Sequence, residues 1–175
     1  MVQSKSRWGA MAALGLAAAS AFAFPALAQE SPPLGSDARF RAIKIDVSGA
    51  AQYGNLPQAN WAAAALPAPL HDAFAGRIVP GDRSAPTLIV RIDKILLGES
   101  QNGIFSAGAS VEARDYIEGA AVVVAPNGRT LGVYPLLDVV YNYTGGSNYE
   151  VGTGERRVDV LSRSFAQFLP GKMGL

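Results

Sequence analysis

His71 is the only histidine of the 175-residue chain, and cysteine is absent. Every histidine-activated nucleophile and every histidine-metal scheme must therefore run through one residue, and thiolate chemistry is excluded. His71 stands between Leu70 and Asp72 in a helical pattern, where a partly exposed structural histidine is the plainer reading. Ile104-Phe105-Ser106-Ala107-Gly108 comes nearest to a nucleophile elbow but lacks the first glycine of Gly-x-Ser-x-Gly. No Asp-x-Asp-x-Asp-Gly run offers regularly spaced oxygens to calcium. Gly171-Lys172 follows no glycine-rich loop that would cradle phosphate.

Asp115 and Glu118, in Arg114-Asp115-Tyr116-Ile117-Glu118-Gly119, are the best candidates for an acid pair. Glycoside hydrolysis needs two such carboxylates facing one bond. An odd separation along a strand turns the two to opposite faces. Arg114 and Glu118 then share a face with Tyr116, and ion pairing with a neighbouring strand is the favoured use. What remains is a recognition surface. Tyr141, Tyr143 and Tyr149 stand beside the glycine-rich stretch 144–154, and Phe105 stands in a second loop. Aromatic side chains on loops supply contact area at low entropy cost. As strand residues, Tyr141 and Tyr143 equally well close the edge of a core. Asn142-Tyr143-Thr144 fits the glycosylation acceptor pattern, which is read as chance in a bacterial export product. No catalytic residue, metal site or cofactor is expected.

These residues hang on a long β-hairpin over Arg114 to Tyr143. Asn127-Gly128 at its centre predicts a two-residue type I′ turn, which needs positive φ at both positions. That register sets Val124 against Leu131, Val122 against Val133, Glu118 against Leu137 and Tyr116 against Val139. Phe40 to Ser48 alternates, with Ile43, Ile45 and Val47 on one side, and predicts a half-buried strand. Thr87 to Leu97 predicts another, with Leu88, Val90 and Ile92 inward and Arg91 and Asp93 outward. Gly49 to Pro57 reads as a loop. Asn60 is placed to cap a helix from Trp61 that carries Leu66, Leu70, Ala73 and Phe74 on one stripe. Pro67 and Pro69 either kink that helix near Ala63 to Leu66 or split it, the kink being preferred. Glu155 to Leu169 predicts a second helix, with Val158, Leu161, Phe165 and Phe168 inward, stopped by Pro170 and Gly171. The expected order is β-α-β-β-β-α. It gives a single α+β domain, a mostly antiparallel sheet with two helices on one face. The other face, carrying Lys44, Asp46, Arg91 and Asp93, is left to solvent or to a partner.

Lys5 and Arg7, the Ala/Leu-rich run from Trp8, Pro25 and Ala26-Leu27-Ala28 have the order of a secretory signal peptide over residues 1–28. Cleavage before Gln29 leaves a flexible lead over residues 29–38 and one domain over 39–175. Removal of Lys5 and Arg7 with the signal takes the 15 basic residues to 13 against 14 acidic ones, and a chain so near neutrality gives no electrostatic case for nucleic acid or anionic lipid. No membrane span is expected once the signal is removed. The absence of cysteine means that the exported domain does without disulfides and offers no lipidation site after the signal. Periplasmic or secreted location follows.

Taken together, Phe40 to Ser48, Leu66-Pro67 with Ala73 to Ile78, Pro86 to Asp93, Arg114 to Gly119 and the Phe168 to Leu175 ending resemble a group of small exported α-proteobacterial proteins. That resemblance implies a location rather than an activity. More remotely, the β-α-β-β-β-α order is similar to auxiliary envelope lipoproteins of ABC-type lipid transporters, although the lipobox cysteine of that pattern is missing here. No functional residue is carried over. The expected function is a non-enzymatic periplasmic binding or accessory domain acting on an envelope protein or small ligand. The alternatives are a carboxylate-dependent hydrolase of cell-wall or sugar polymers and a small-ligand carrier. Oligomeric state is left open.

Overall fold

A computed structural model describes residues 31–98, 114–141 and 152–175. The elements are β1 (Ala42–Asp46), α1 (Ser48–Gln52), α2 (Leu56–Ala65), α3 (Pro67–Ala73), β2 (Thr87–Leu96), β3 (Arg114–Val124), β4 (Thr130–Tyr141) and α4 (Thr153–Met173). The sheet runs β1-β2-β3-β4 in space. It is mixed: β1 pairs with β2 in parallel, and β2-β3 and β3-β4 are antiparallel. The protein is α+β, with four helices among the described residues rather than the two that periodicity gives.

The core forms on one face of the sheet. Ile92 and Ile95 are three residues apart, so a regular strand would turn them to opposite faces. A bulge between Ile92 and Lys94 restores the parity and buries both. Leu88, Val90, Ile117, Ala121, Val123 and Tyr134 join them against Leu66, Leu70 and Phe74 from the first helices. Phe40 closes one end, its ring edge-on to Phe74 with centroids 5.9 Å apart.

The stretch after β1 differs from its sequence reading. Residues 48–52 are helical, so the expected loop over Gly49 to Pro57 is broken by α1. The following helix starts at Leu56, five residues before Trp61, and Asn60 lies inside it rather than at its cap. Pro57 explains the early start, because proline suits the first turn, where no N–H is needed. The chain bends at Leu66, and α3 begins at Pro67. Leu66 itself keeps right-handed helical angles, so the two prolines interrupt the ladder without redirecting the chain far.

The hairpin turn also differs. Only Gly128 has positive φ, at 85°, so Asn127 does not and the type I′ reading fails. Gly128 N–H instead bonds Ala125 O at 2.9 Å, which makes Pro126 and Asn127 the central pair. Proline's fixed φ suits the first central position of a type I turn and not a left-handed one. The extra residue is absorbed where Val124 pairs with Thr130 rather than Leu131. Beyond that shift Val122–Val133, Glu118–Leu137 and Tyr116–Val139 are the observed partners.

In α4 the buried stripe is Val158, Leu161, Phe165, Leu169 and Met173. Phe168, expected inward, is 57% exposed. Pro170 does not stop the helix, which continues to Met173 and ends at left-handed Gly174. The lost proline hydrogen bond is offset by burying Leu169 and Met173 on either side of it, each burial contributing about 1.5–3 kcal/mol. Leu34 N–H bonds Met173 O at 2.9 Å, Ser31 N–H bonds Val133 O at 3.2 Å, and Tyr134 donates its hydroxyl to Pro32 O at 2.9 Å. The lead segment, expected to be flexible, thus makes these bonds to β4 and α4.

Candidate functional site

Of the four aromatic candidates, Tyr141 alone lies within the described residues. Phe105, Tyr143 and Tyr149 lie outside them. Tyr141 ends β4 opposite Arg114, whose guanidinium stands 5.0 Å from the ring centroid. His71 sits on α3 with its Nδ1 3.9 Å from Asp72, both largely exposed. It borders a hollow of about 190 Å³ walled by Ile43, Ile45, Pro67, Leu70 and Ile78. The other described residues that wall it bring no hydroxyl, thiol or carboxylate. Among the described residues no three His, Cys, Asp or Glu side chains gather into a metal-holding group.

Asp115 and Glu118 go separate ways. Glu118 is exposed on the uncovered face, with Lys94 as its partner in register. Asp115 is 3% exposed and locked by Arg157. Arg157 Nε donates to Asp115 Oδ2 at 2.8 Å, and Arg157 Nη2 bonds both Asp115 Oδ1 and Gly98 O. Gly98 N–H closes the set on Asp115 Oδ1 at 3.0 Å. A carboxylate so fully engaged is a fastener between β3, α4 and the end of the β2 loop, not a reacting group.

Elsewhere the titratable groups are shifted by local bonds. The Ser84 hydroxyl at 2.6 Å and its amide at 2.8 Å hold Asp82 below the usual carboxylate range. Ser48 does the same for Asp46. Interaction with Tyr116 raises Lys94, and burial raises the Tyr134 phenol.

Two features absent from the sequence reading are the larger ones. The first is an apolar row on the sheet face that no described helix covers, a face for which the sequence showed only its charged residues. In β4, Leu131, Val133, Pro135, Leu137, Val139 and Tyr141 alternate with the residues that face α4, so the outward row carries no charge. Leu137 is 59% exposed, and Leu131, Val139 and Tyr141 are exposed as well. On β3 the same face carries Tyr116, Ala120, Val122 and Val124, with the charged Arg114 and Glu118 among them. Towards β1 the same face turns charged, with Lys44 exposed and Arg91 paired to Asp93 at 2.7 Å. Alternation alone was enough to expose this row, but the apolar residues of β4 fall on both faces and hid it.

The second feature is Asp138, the sole charge of β4. Its even parity turns it to the helix side, where it is more than nine-tenths buried. Its Oδ2 has no hydrogen-bond partner. Asp138 lines a groove of about 430 Å³ with Leu136 and Leu137 of β4 and Phe168, Gly171 and Lys172 of α4. One acid inside Leu-Leu-Asp-Val-Val was the available signal.

No protein-family model matches the chain, and no curated protein matches it.

Proposed function

We propose that the protein is a non-enzymatic binding or accessory domain of the bacterial periplasm, engaging another envelope component through the uncovered face of its sheet. The uncharged outward row of β4 carries this reading. Contiguous apolar patches on a protein surface mark sites of association, whereas isolated apolar residues do not. The charged half of the same face, with Lys44 and the Arg91–Asp93 pair, gives such a surface an orientation, because rim charges set register. The engagement of Asp115 by Arg157 weighs against the carboxylate hydrolase. No described helix is long and apolar enough to cross a membrane, which fits an exported domain whose signal segment is removed.

A photo-crosslinking residue placed at Tyr116 or Val139 tests the reading in cells, since these two are partners across β3 and β4 on the open face. The expected result is one reproducible envelope protein captured from both positions and not from Asp72, an exposed residue of α3 on the helix side. Capture of nothing, or an equal yield from Asp72, overturns it.

A further inference from the structure

We infer that the groove between β4 and α4 receives an extended polypeptide segment that pairs with the free edge of β4 and sets one basic side chain on Asp138. This rests on the reading of the protein as a binding domain and names the chemistry of a partner.

The edge comes first. Among the described residues β4 is the last strand of the sheet, and its only neighbour is β3. Val133 exchanges bonds with Ser31 on the outer side, its N–H donating to Ser31 Oγ at 2.9 Å and its carbonyl accepting Ser31 N–H. By the two-residue period of an antiparallel ladder, Pro135, Leu137 and Val139 also direct their backbone outward. Among the described residues only Ser31 bonds this edge. Proline brings no N–H, so Leu137 and Val139 offer the donors and acceptors. Long edge strands without charge or cover are templates for pairing.

Next comes the side-chain chemistry. A strand added beside β4 points alternate side chains into the space between β4 and α4, which is the groove that Asp138, Leu136 and Phe168 line. Buried carboxylate oxygens without partners are costly, and a cationic donor relieves that cost. Lys172, on the α4 wall, does not bond Asp138 Oδ2. A second copy of β4 does not meet the need either, because Thr130–Tyr141 contains no lysine or arginine. The occupant is therefore a different segment, apolar in alternate positions, with one Lys or Arg.

Fluorescence anisotropy with labelled peptides of about ten residues, Thr and Val alternating around a single central Lys, reads this out on the purified protein. The Lys peptide should bind about tenfold more tightly than its norleucine counterpart, and Asp138→Asn should remove that difference. Val139→Pro removes an outward N–H while leaving the β3 ladder intact, and it should weaken both peptides alike. Circular dichroism of each variant checks that the fold survives. Equal affinities for the two peptides, or indifference to both substitutions, overturn the inference. Binding of hexylammonium that depends on Asp138 but not on Val139→Pro also overturns it, in favour of a small-amine pocket. If the peptides fail while crosslinks from Tyr116 persist, strand pairing falls alone; loss of both removes the binding reading too.

Discussion

Arg157 and Asp115 are 42 positions apart, yet they share a buried salt bridge whose remaining bonds go to the backbone of Gly98. Taking two charges out of water is expensive, and apolar replacements of such pairs are often harmless or favourable. Here the exchange is worse than usual, because Gly98 would lose a partner for both its N–H and its carbonyl. Arg157→Met should cost about 3–5 kcal/mol by leaving the Asp115 charge buried without a counter-ion, only the Gly98 N–H still bonded to it. Joining it to Asp115→Leu should recover part of that loss but still leave a deficit of about 1–3 kcal/mol from the orphaned Gly98 groups. Urea unfolding of the two variants gives both numbers, and a double variant as stable as the parent would refute the role assigned to Gly98. Sequence showed that Asp115 and Glu118 part company, since parity is a local property. It showed neither Arg157 nor the unpartnered Asp138, because both depend on where α4 comes to lie over the sheet.

At the scale of elements, the strands were more legible than the helices, for a physical reason. A strand of this sheet buries one face, so alternation survives in Ile43 and Ile45 and in Leu88, Val90 and Ile92. The hairpin register followed from its centre over Tyr116 to Val122, whereas the turn type and the Val124 pairing beside it were misjudged. Pro126 and Asn-Gly make competing demands on one turn, and proline wins because its ring fixes φ whereas asparagine merely tolerates positive values. Gly128→Ala should therefore cost about 1–2 kcal/mol, since its φ of 85° crowds a Cβ. Asn127→Ala should cost about 1 kcal/mol or less, through the loss of its 3.1 Å bond from Arg129 N–H. Thermal melts of the two variants decide it, and the opposite order would restore the type I′ turn. Helix ends were harder to read because Pro170 looks like a stop only in isolation. Burial of Leu169 and Met173 overrides it.

For the whole molecule, the two sides of β4 have different duties. One side closes the core with Tyr134, and the other presents the uncharged row to solvent. Tyr134 also holds the lead segment through its bond to Pro32 O, so one phenol joins the sheet to the start of the described chain. Burial raises its pKa, which means that the folded state keeps the proton longer than the unfolded state does. The resulting stabilisation is complete below the unfolded value of about 10 and is lost as pH rises from there through the folded value. Tyr134→Phe removes both the titration and the hydroxyl bond. At pH 7 it should cost about 1 kcal/mol, the worth of one hydrogen bond. Above pH 10 the gap to the parent should narrow, because only the parent still loses stability through this phenol. Urea midpoints measured for both proteins from pH 7 to pH 11 test the sign. A gap that widens with pH would show that the phenol ionises more readily in the fold than out of it, and the link between β4 and the lead segment would need another cause.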